Sequence, residues 1–171
     1  MINLPIDFLN KMEQLLQDDY PAFLESYSRP SKKGVRLNPL KCTWDILEKN
    51  LPFTLSPSPF SPLSYYIEEE EAKVGILPLH HAGAFYSQEP SAASAVTVLN
   101  PKPGEIILDL CAAPGGKSTQ IAGLLDGKGL LWSNEIVKNR ANVLLSNIER
   151  LGVRNAVVSL CHPDVLCSKL A

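Results

Sequence analysis

Residues 106–119 read IILDLCAAPGGKST, and this stretch predicts how the second half of the chain folds. It opens with an apolar run typical of a buried parallel strand. Small and turn-forming residues follow, and then a segment in which a helix can begin. A strand that breaks into a small-residue turn and then a helix is how α/β proteins build a seat for a nucleotide-like cofactor. The stretch therefore predicts an α/β fold with a cofactor site at the turn.

Strands and helices are expected to alternate on both sides of this turn. The predicted elements are helices over 87–98, 117–125 and 137–151 and strands over 105–110, 130–134 and 156–160. Consecutive strands joined by helices pair in parallel with right-handed crossovers. Residues 79–171 are therefore expected to form a partial Rossmann-like domain with about three parallel strands.

Residues 1–78 predict a small α+β module that precedes this domain. The predicted elements are helices over 6–16, 21–27 and 43–50 and a strand over 35–38. Residues 52–64 are rich in proline and serine, which indicates a loop or linker because proline lacks an amide donor and fixes φ.

Composition excludes several classes of protein. The 171 residues are 45% hydrophobic and 20% charged, which is typical of a soluble globular protein. No apolar run reaches the roughly 18 residues of a membrane span, and the first residues lack the layout of a signal peptide. The four cysteines form neither a disulfide framework nor the paired spacing of a metal site. We expect a cytoplasmic protein with reduced thiols, no membrane segment and no metal.

Charge alone does not indicate a nucleic-acid partner. Residues 1–80 carry 8 basic and 11 acidic side chains, and residues 81–171 carry 8 and 7. Neither half has the basic excess of a protein that grips nucleic acid by charge. One basic cluster near aromatic residues is a candidate RNA contact, and the alternative is a solvated surface. The candidate residues are Lys32, Lys33, Arg36 and Lys41.

The turn differs from the two familiar phosphate-binding loops. A Walker A loop needs a leading glycine where this chain has Cys111, although Gly116-Lys117-Ser118 matches its end. A dinucleotide fingerprint needs Gly-x-Gly-x-x-Gly, whereas Gly115 and Gly116 are adjacent here. Both ATP and NAD are therefore disfavoured as ligands.

A ligand without phosphates suits the turn better. The start of the following helix offers free N–H groups and a partial positive charge to a carboxylate. Asp109 can accept hydrogen bonds from an ammonium group or from a neighbouring backbone. Glu135 follows the next strand 26 residues later and can accept both ribose hydroxyls. A ligand that joins adenosine to an amino acid and carries no phosphate is S-adenosyl-L-methionine. The alternative for the turn is a purely structural role, and the alternative for Glu135 is a solvated side chain.

The chain also resembles a known family over essentially its whole length. Residues 109–118 resemble the cofactor motif of the RNA cytosine-5 methyltransferases, the Fmu/Nop2/Sun group, and most closely its bacterial ribosomal-RNA members. Residues 83–91 are similar to the segment that precedes the catalytic core of that family. Residues 35–41 resemble its Arg-x-Asn-x-x-Lys segment, in an N-terminal module that contacts RNA. The resemblance implies an S-adenosylmethionine-dependent methyltransferase whose partner is RNA, with ribosomal RNA expected.

The resemblance implies which residues bind the cofactor. They are Cys111, Ala112, Ala113, Pro114, Gly115, Gly116, Lys117 and Glu135. A further acidic residue usually follows the third strand, at the adenine. His162 stands at that position here and Asp164 lies two residues later, so the sequence departs from the family pattern. His162 is equally well explained as an ordinary surface histidine.

The cysteines that perform the family's reaction lie in segments absent from these 171 residues. As the resemblance implies, one thiolate attacks C6 of cytosine and a second cysteine helps to release the product. The segments that carry them, Asp-Ala-Pro-Cys and Thr-Cys, do not occur here, and Cys111 belongs to the cofactor turn. We therefore expect no catalytic residue in this chain. The isolated chain is expected to be unstable, aggregated or paired with a complementary polypeptide that supplies the missing strands.

Two other functions remain open. The chain could be a non-catalytic RNA-binding module or a truncated product without activity. A methyltransferase for small molecules or proteins would share the cofactor turn, but it would not share the Cys-Ala-Ala-Pro sequence or the N-terminal likeness.

Overall fold

A computed structural model describes residues 4–170. Residues 1–3 and 171, which the predicted domains include, lie outside the described residues. The chain divides into two compact units, Met1–Lys32 and Lys33–Ala171. The first unit holds α1 (Ile6–Leu16) and α2 (Tyr20–Ser26), joined by a 3-10 turn. Both helices were predicted, and α1 follows Pro5, which supports a helix start because its missing N–H is not needed there.

The second unit begins with a four-stranded antiparallel sheet. Its elements are β1 (Gly34–Leu37), α3 (Trp44–Asn50), β2 (Leu55–Pro57), β3 (Ser64–Ile67), α4 (Pro78–His81) and β4 (Phe85–Ser87). The strand order is β2-β3-β1-β4. Val35, Leu37, Leu47 and Phe85 form the buried core of this sheet.

Two sequence-based predictions for this region are wrong. The loop predicted over 52–64 contains β2, which Pro57 allows because the strand lies at the sheet edge, where proline is tolerated. The helix predicted from residue 87 begins only at Ser94, because β4 pairs with β1 as far as Ser87 and a 3-10 turn over Pro90–Ala93 follows. The antiparallel sheet consequently extends beyond residue 78.

A three-stranded parallel sheet follows in the same unit. Its elements are α5 (Ser94–Leu99), β5 (Ile106–Asp109), α6 (Gly116–Leu125), β6 (Leu130–Glu135), α7 (Lys138–Arg150), β7 (Ala156–Leu160) and α8 (Pro163–Leu170). The order is β5-β6-β7, and β6 lies in the middle. This confirms the predicted partial Rossmann-like domain with an N-terminal module, although α8 was not predicted.

Apolar faces of the helices hold the parallel sheet. Ile121 and Leu125 of α6 pack with Leu131 of β6, and Leu144 and Ile148 of α7 are buried under the turn. Burying one such side chain contributes about 1.5–3 kcal/mol to folding. Within residues 4–170, no helix combines the length and apolarity needed to cross a membrane.

Candidate cofactor site

The turn between β5 and α6 lies at the carboxyl end of the parallel sheet, where open α/β sheets bind their ligands. Gly115 precedes α6 with φ of 111°, a conformation that residues with a side chain rarely adopt. A Cβ on Gly115 would also lie 3.2 Å from the side chain of Leu144. Backbone conformation and close packing both explain glycine at this position.

Four successive carbonyl groups of the turn accept hydrogen bonds from side chains. The pairs are Arg140 with Ala113 (3.0 Å), Asn147 with Pro114 (2.8 Å), Thr119 with Gly115 (2.6 Å) and Arg36 with Gly116 (2.6 Å). The donors come from β1, α6 and α7, so three elements hold the turn in one shape. Helix geometry leaves the first N–H groups of α6 without intrahelical acceptors. The start of α6 therefore presents free N–H donors, whereas the carbonyl oxygens of residues 113–116 already accept hydrogen bonds.

A cleft of about 250 Å³ adjoins the turn. One wall consists of residues 111–114 with Gly116 and Lys117, and the other consists of Tyr86, Ser87, Gln88 and Ala92. A Cβ on Gly116 would lie 3.3 Å from Nε2 of Gln88, so a larger residue would narrow the cleft. The sequence reasoning assigned no role to Gln88 or Ala92, although the likeness of residues 83–91 to a family segment was a signal for this wall.

Asp109 is held at the end of β5. Its Oδ2 accepts a hydrogen bond from Oγ of Ser118 at 2.7 Å, and that hydroxyl lies 3.0 Å from Oγ of Ser133 on β6. Asp109 and Lys117 also line a neighbouring cleft of about 260 Å³ beside β5. The carboxylate is thus fixed beside the turn and keeps one oxygen for a further donor.

Glu135 lies at the end of β6, next to the turn. The residue is 3% exposed, and its Oε1 accepts from the amides of Ile136 and Val137 at 2.9 and 3.1 Å. Its Oε2 lies 3.4 Å from Nη1 of Arg140, whose other nitrogen binds the carbonyl of Ala113. Arg140 therefore connects the carboxylate predicted for ribose with the turn predicted for the amino-acid end.

His162 and Asp164 follow β7. Nδ1 of His162 lies 3.4 Å from Oδ2 of Asp164, and their side chains are 63% and 89% exposed. Such exposure agrees with the alternative of an ordinary surface pair as well as with an open adenine contact.

The four candidate RNA contacts occupy different environments. Lys32 belongs to the first unit, and Lys33 donates to the carbonyl of Glu70. Lys41 donates to the carbonyls of Ala82 and Arg150 at 3.0 and 2.8 Å. Arg36 is only 2% exposed. Its guanidinium is enclosed by protein groups and has no surface to offer to RNA, so its observed contacts correct that expectation.

The buried Arg36 carries a charge at neutral pH. Burial lowers the pKa of its guanidinium to about 9, which is still above neutrality. The guanidinium lies over the ring of Tyr86, 5.2 Å from its centroid. An aromatic face partly offsets the desolvation of a cation.

The four cysteines are free thiols in different surroundings, and Cys161 is half-buried. Cys42, between β1 and α3, is buried in the core of the antiparallel sheet region, and burial raises the pKa of its thiol, which favours the unreactive form. Cys111 is exposed at the turn, and Cys167 is exposed on α8. Among residues 4–170, no group of three or more side chains is arranged to hold a metal ion.

Comparison with known proteins identifies the family. Residues 4–90 match the N-terminal domain of 16S rRNA methyltransferase RsmF, and residues 96–168 match 16S rRNA methyltransferase RsmB/F. The chain is 38% identical over 170 residues to ribosomal RNA small subunit methyltransferase F of Vibrio vulnificus. That match covers 92% of this chain and 35% of the Vibrio protein, so the chain spans about a third of its relative's length.

Solved structures share the fold. A methyltransferase homolog protein from Pyrococcus horikoshii superimposes with a TM-score of 0.83 and 27% identity, over 98% of this chain and 60% of that one. NSun6 from the same organism, solved with SFG, gives a TM-score of 0.85 over 96% of this chain and 67% of that one. At 19% identity the second likeness concerns the fold alone. The predicted membership in the Fmu/Nop2/Sun group is thereby confirmed: the chain belongs to the RsmF family of 16S rRNA methyltransferases.

Proposed function

We propose that this chain binds S-adenosylmethionine at the β5–α6 turn as part of a protein that methylates C5 of cytosine in 16S rRNA. The observation that carries the proposal is the link through Arg140. This side chain binds the turn carbonyl of Ala113 and lies against the carboxylate of Glu135. A carboxylate and the start of a helix at neighbouring strand ends suit the two ends of an adenosyl amino acid.

The chemistry of the cleft fits this cofactor. Its wall is built from small residues at the turn, and α6 begins there with free N–H groups for the amino-acid carboxylate. Next to this cleft, Asp109 lines the neighbouring cleft beside β5 and keeps an oxygen for the ammonium group. Glu135, at the end of β6, provides the acceptor for ribose hydroxyls. When bound, the cofactor supplies a methyl group activated by its positive sulfur. The protein's task at this site is to hold and orient it.

The RNA substrate is supported by the family. The relatives are named as methyltransferases of small-subunit ribosomal RNA, and the Cys-Ala-Ala-Pro-Gly-Gly-Lys turn resembles that of RNA cytosine-5 methyltransferases. We propose residues 1–78 as the module that contacts RNA and residues 79–171 as the half that carries the cofactor turn, although β4 of this half completes the antiparallel sheet with β1. The alternative of a non-catalytic RNA-binding module remains the second candidate, because Lys33 lies on the surface of the antiparallel sheet region.

Cofactor binding without methyl transfer is the expected behaviour of these 171 residues. Calorimetric titration with S-adenosylhomocysteine should show one saturable site, and ATP should not compete, because the turn lacks a phosphate loop. Incubation with tritiated S-adenosylmethionine and 16S rRNA should leave the RNA unlabelled, because the thiol that attacks cytosine is not in these segments. If the chain does label the RNA and the Cys111→Ser substitution abolishes the labelling, this account is wrong.

We also propose that a complementary polypeptide segment covers β5. This strand is at the edge of the parallel sheet, with Ile106 79% exposed and Leu108 40% exposed. Parallel sheets are normally covered on both faces, and an open apolar edge promotes association. A further parallel strand would close the edge, and the helix that connects it would cover the exposed face.

The Ile106→Lys substitution should increase the monomeric fraction of the isolated chain, because lysine at an open edge opposes strand pairing. Sedimentation velocity at several concentrations measures this directly. Ile76→Lys is the matched control, since Ile76 is 72% exposed but lies in a 3-10 turn away from the parallel sheet. An equal gain from both variants would show that general hydrophobicity, and not the edge, drives association.

A further inference from the structure

Arg36 is a buried cation beside the proposed cofactor site. It extends from β1 of the antiparallel sheet, and within residues 4–170 none of the ion pairs joins it to a carboxylate. A buried charge without an ionic partner costs free energy unless hydrogen bonds satisfy it. Oxygen atoms of three residues and the ring of Tyr86 fill that role.

The guanidinium joins the two walls of the cleft. Its Nη1 donates to Oε1 of Gln88 on one wall and to the carbonyl of Gly116 on the other, the latter at 2.6 Å. Its Nη2 donates to Oγ1 of Thr119 at 2.7 Å, one turn further along α6. A planar, rigid fork of donors can set such a spacing, whereas an ammonium group cannot.

The same contact orients the carboxamide of Gln88. Because Oε1 is held by Arg36, the Nε2 group is the end left to donate elsewhere. Nε2 is also the atom closest to the place where a Cβ on Gly116 would stand, at 3.3 Å. A donor is thus directed toward the start of α6, where the amino-acid end of the cofactor is proposed to bind.

We infer that Arg36 is a positioning residue of the cofactor site, which holds Gln88 and the start of α6 at the spacing required by the amino-acid end of the ligand. The inference rests on the proposed function. It gives Arg36 a role that neither an RNA contact nor simple core packing would provide. It also distinguishes the two ends of the ligand, because Glu135, the acceptor proposed for ribose, contacts Ile136 and Arg140 and not Arg36.

Two ligands test the inference. S-adenosylhomocysteine has the amino-acid end, and 5′-methylthioadenosine has the same nucleoside without it. In the Arg36→Lys variant, binding of S-adenosylhomocysteine should weaken about tenfold or more, as expected for loss of hydrogen bonds to a charged donor. Binding of 5′-methylthioadenosine should change by less than about twofold, because its contacts do not pass through Arg36. Arg154→Lys is the matched control, since Arg154 is exposed.

Gln88→Ala is the second variant and keeps the test decisive if Arg36→Lys does not fold. It removes the oriented donor from a part-buried side chain and should show the same selective loss. Equal weakening of both ligands, or no weakening of either, would overturn the inference while leaving cofactor binding intact. Failure of the unaltered chain to bind either ligand would instead overturn the proposed function on which the inference rests.

Discussion

The Gly83→Ala substitution should destabilise the second unit by about 3 kcal/mol or more. Gly83 has φ of 77°, and a Cβ there would lie 2.1 Å from the carbonyl oxygen of Arg150. That oxygen belongs to the backbone at the end of α7 and cannot rotate away as a side chain can. Hydrogen bonds hold the two segments together at this point. Asn38 donates to the carbonyls of Gly83 and Leu151 at 2.8 and 2.9 Å, and Lys41 donates to the carbonyl of Arg150.

Two other glycines separate the two causes of this loss of stability, which are the left-handed backbone conformation and the steric contact of the added Cβ. Gly127 has φ of 71° but nothing within 4 Å of an added Cβ, so Gly127→Ala should cost only the roughly 1–2 kcal/mol of a left-handed residue. Gly75 has neither constraint, and Gly75→Ala should be nearly neutral. Urea unfolding followed by circular dichroism, in the Ile106→Lys background if the chain associates, gives the three values. Equal losses for Gly83→Ala and Gly127→Ala would contradict the close approach.

The Glu135→Gln substitution should weaken S-adenosylhomocysteine binding by about 10- to 100-fold, the range for losing hydrogen bonds to a charged acceptor. The amide keeps one oxygen, which can still accept from the N–H groups of Ile136 and Val137. It replaces the second carboxylate oxygen by a donor, so ribose loses one acceptor and Arg140 loses its ionic partner. The fold should therefore persist while affinity falls.

Calorimetry with both ligands measures this effect and separates it from that of Arg36. Glu135→Gln should weaken S-adenosylhomocysteine and 5′-methylthioadenosine alike, because both carry the ribose. Glu149→Gln on the exposed face of α7 is the matched control and should leave both affinities unchanged. Unchanged binding of both ligands by Glu135→Gln would show that this carboxylate only terminates the strand and starts α7.

Local patterns were sufficient for the parallel sheet. The apolar run before Asp109, the small residues of the turn and the helical spacing that follows predicted the order of strands and helices along the chain, and the structure confirms it. Such patterns act within about 30 residues, as in one βαβ unit. Hydrophobic periodicity and turn residues are therefore enough to predict the strands and helices of this sheet.

Pairing over longer distances was harder to predict. Strand β2 is short and contains Pro57, and β4 has three residues, so neither has a clear alternation of its own. Both exist because β3 and β1 supply partners from 8 to 52 residues away. Their apolar faces gain stability only after that pairing brings them to a common core.

The sequence by itself determined the fold class, the position of the cofactor turn and the acidic residue that follows the next strand, because each depends on neighbouring residues. Only the tertiary structure decided the placement of Arg36. As a basic residue within a basic cluster, it predicted a surface contact, yet it lies buried against Gly116, 80 residues away. The physical reason is that hydrogen bonds to distant carbonyls, which no local pattern encodes, determine whether a charged side chain faces solvent or the protein interior.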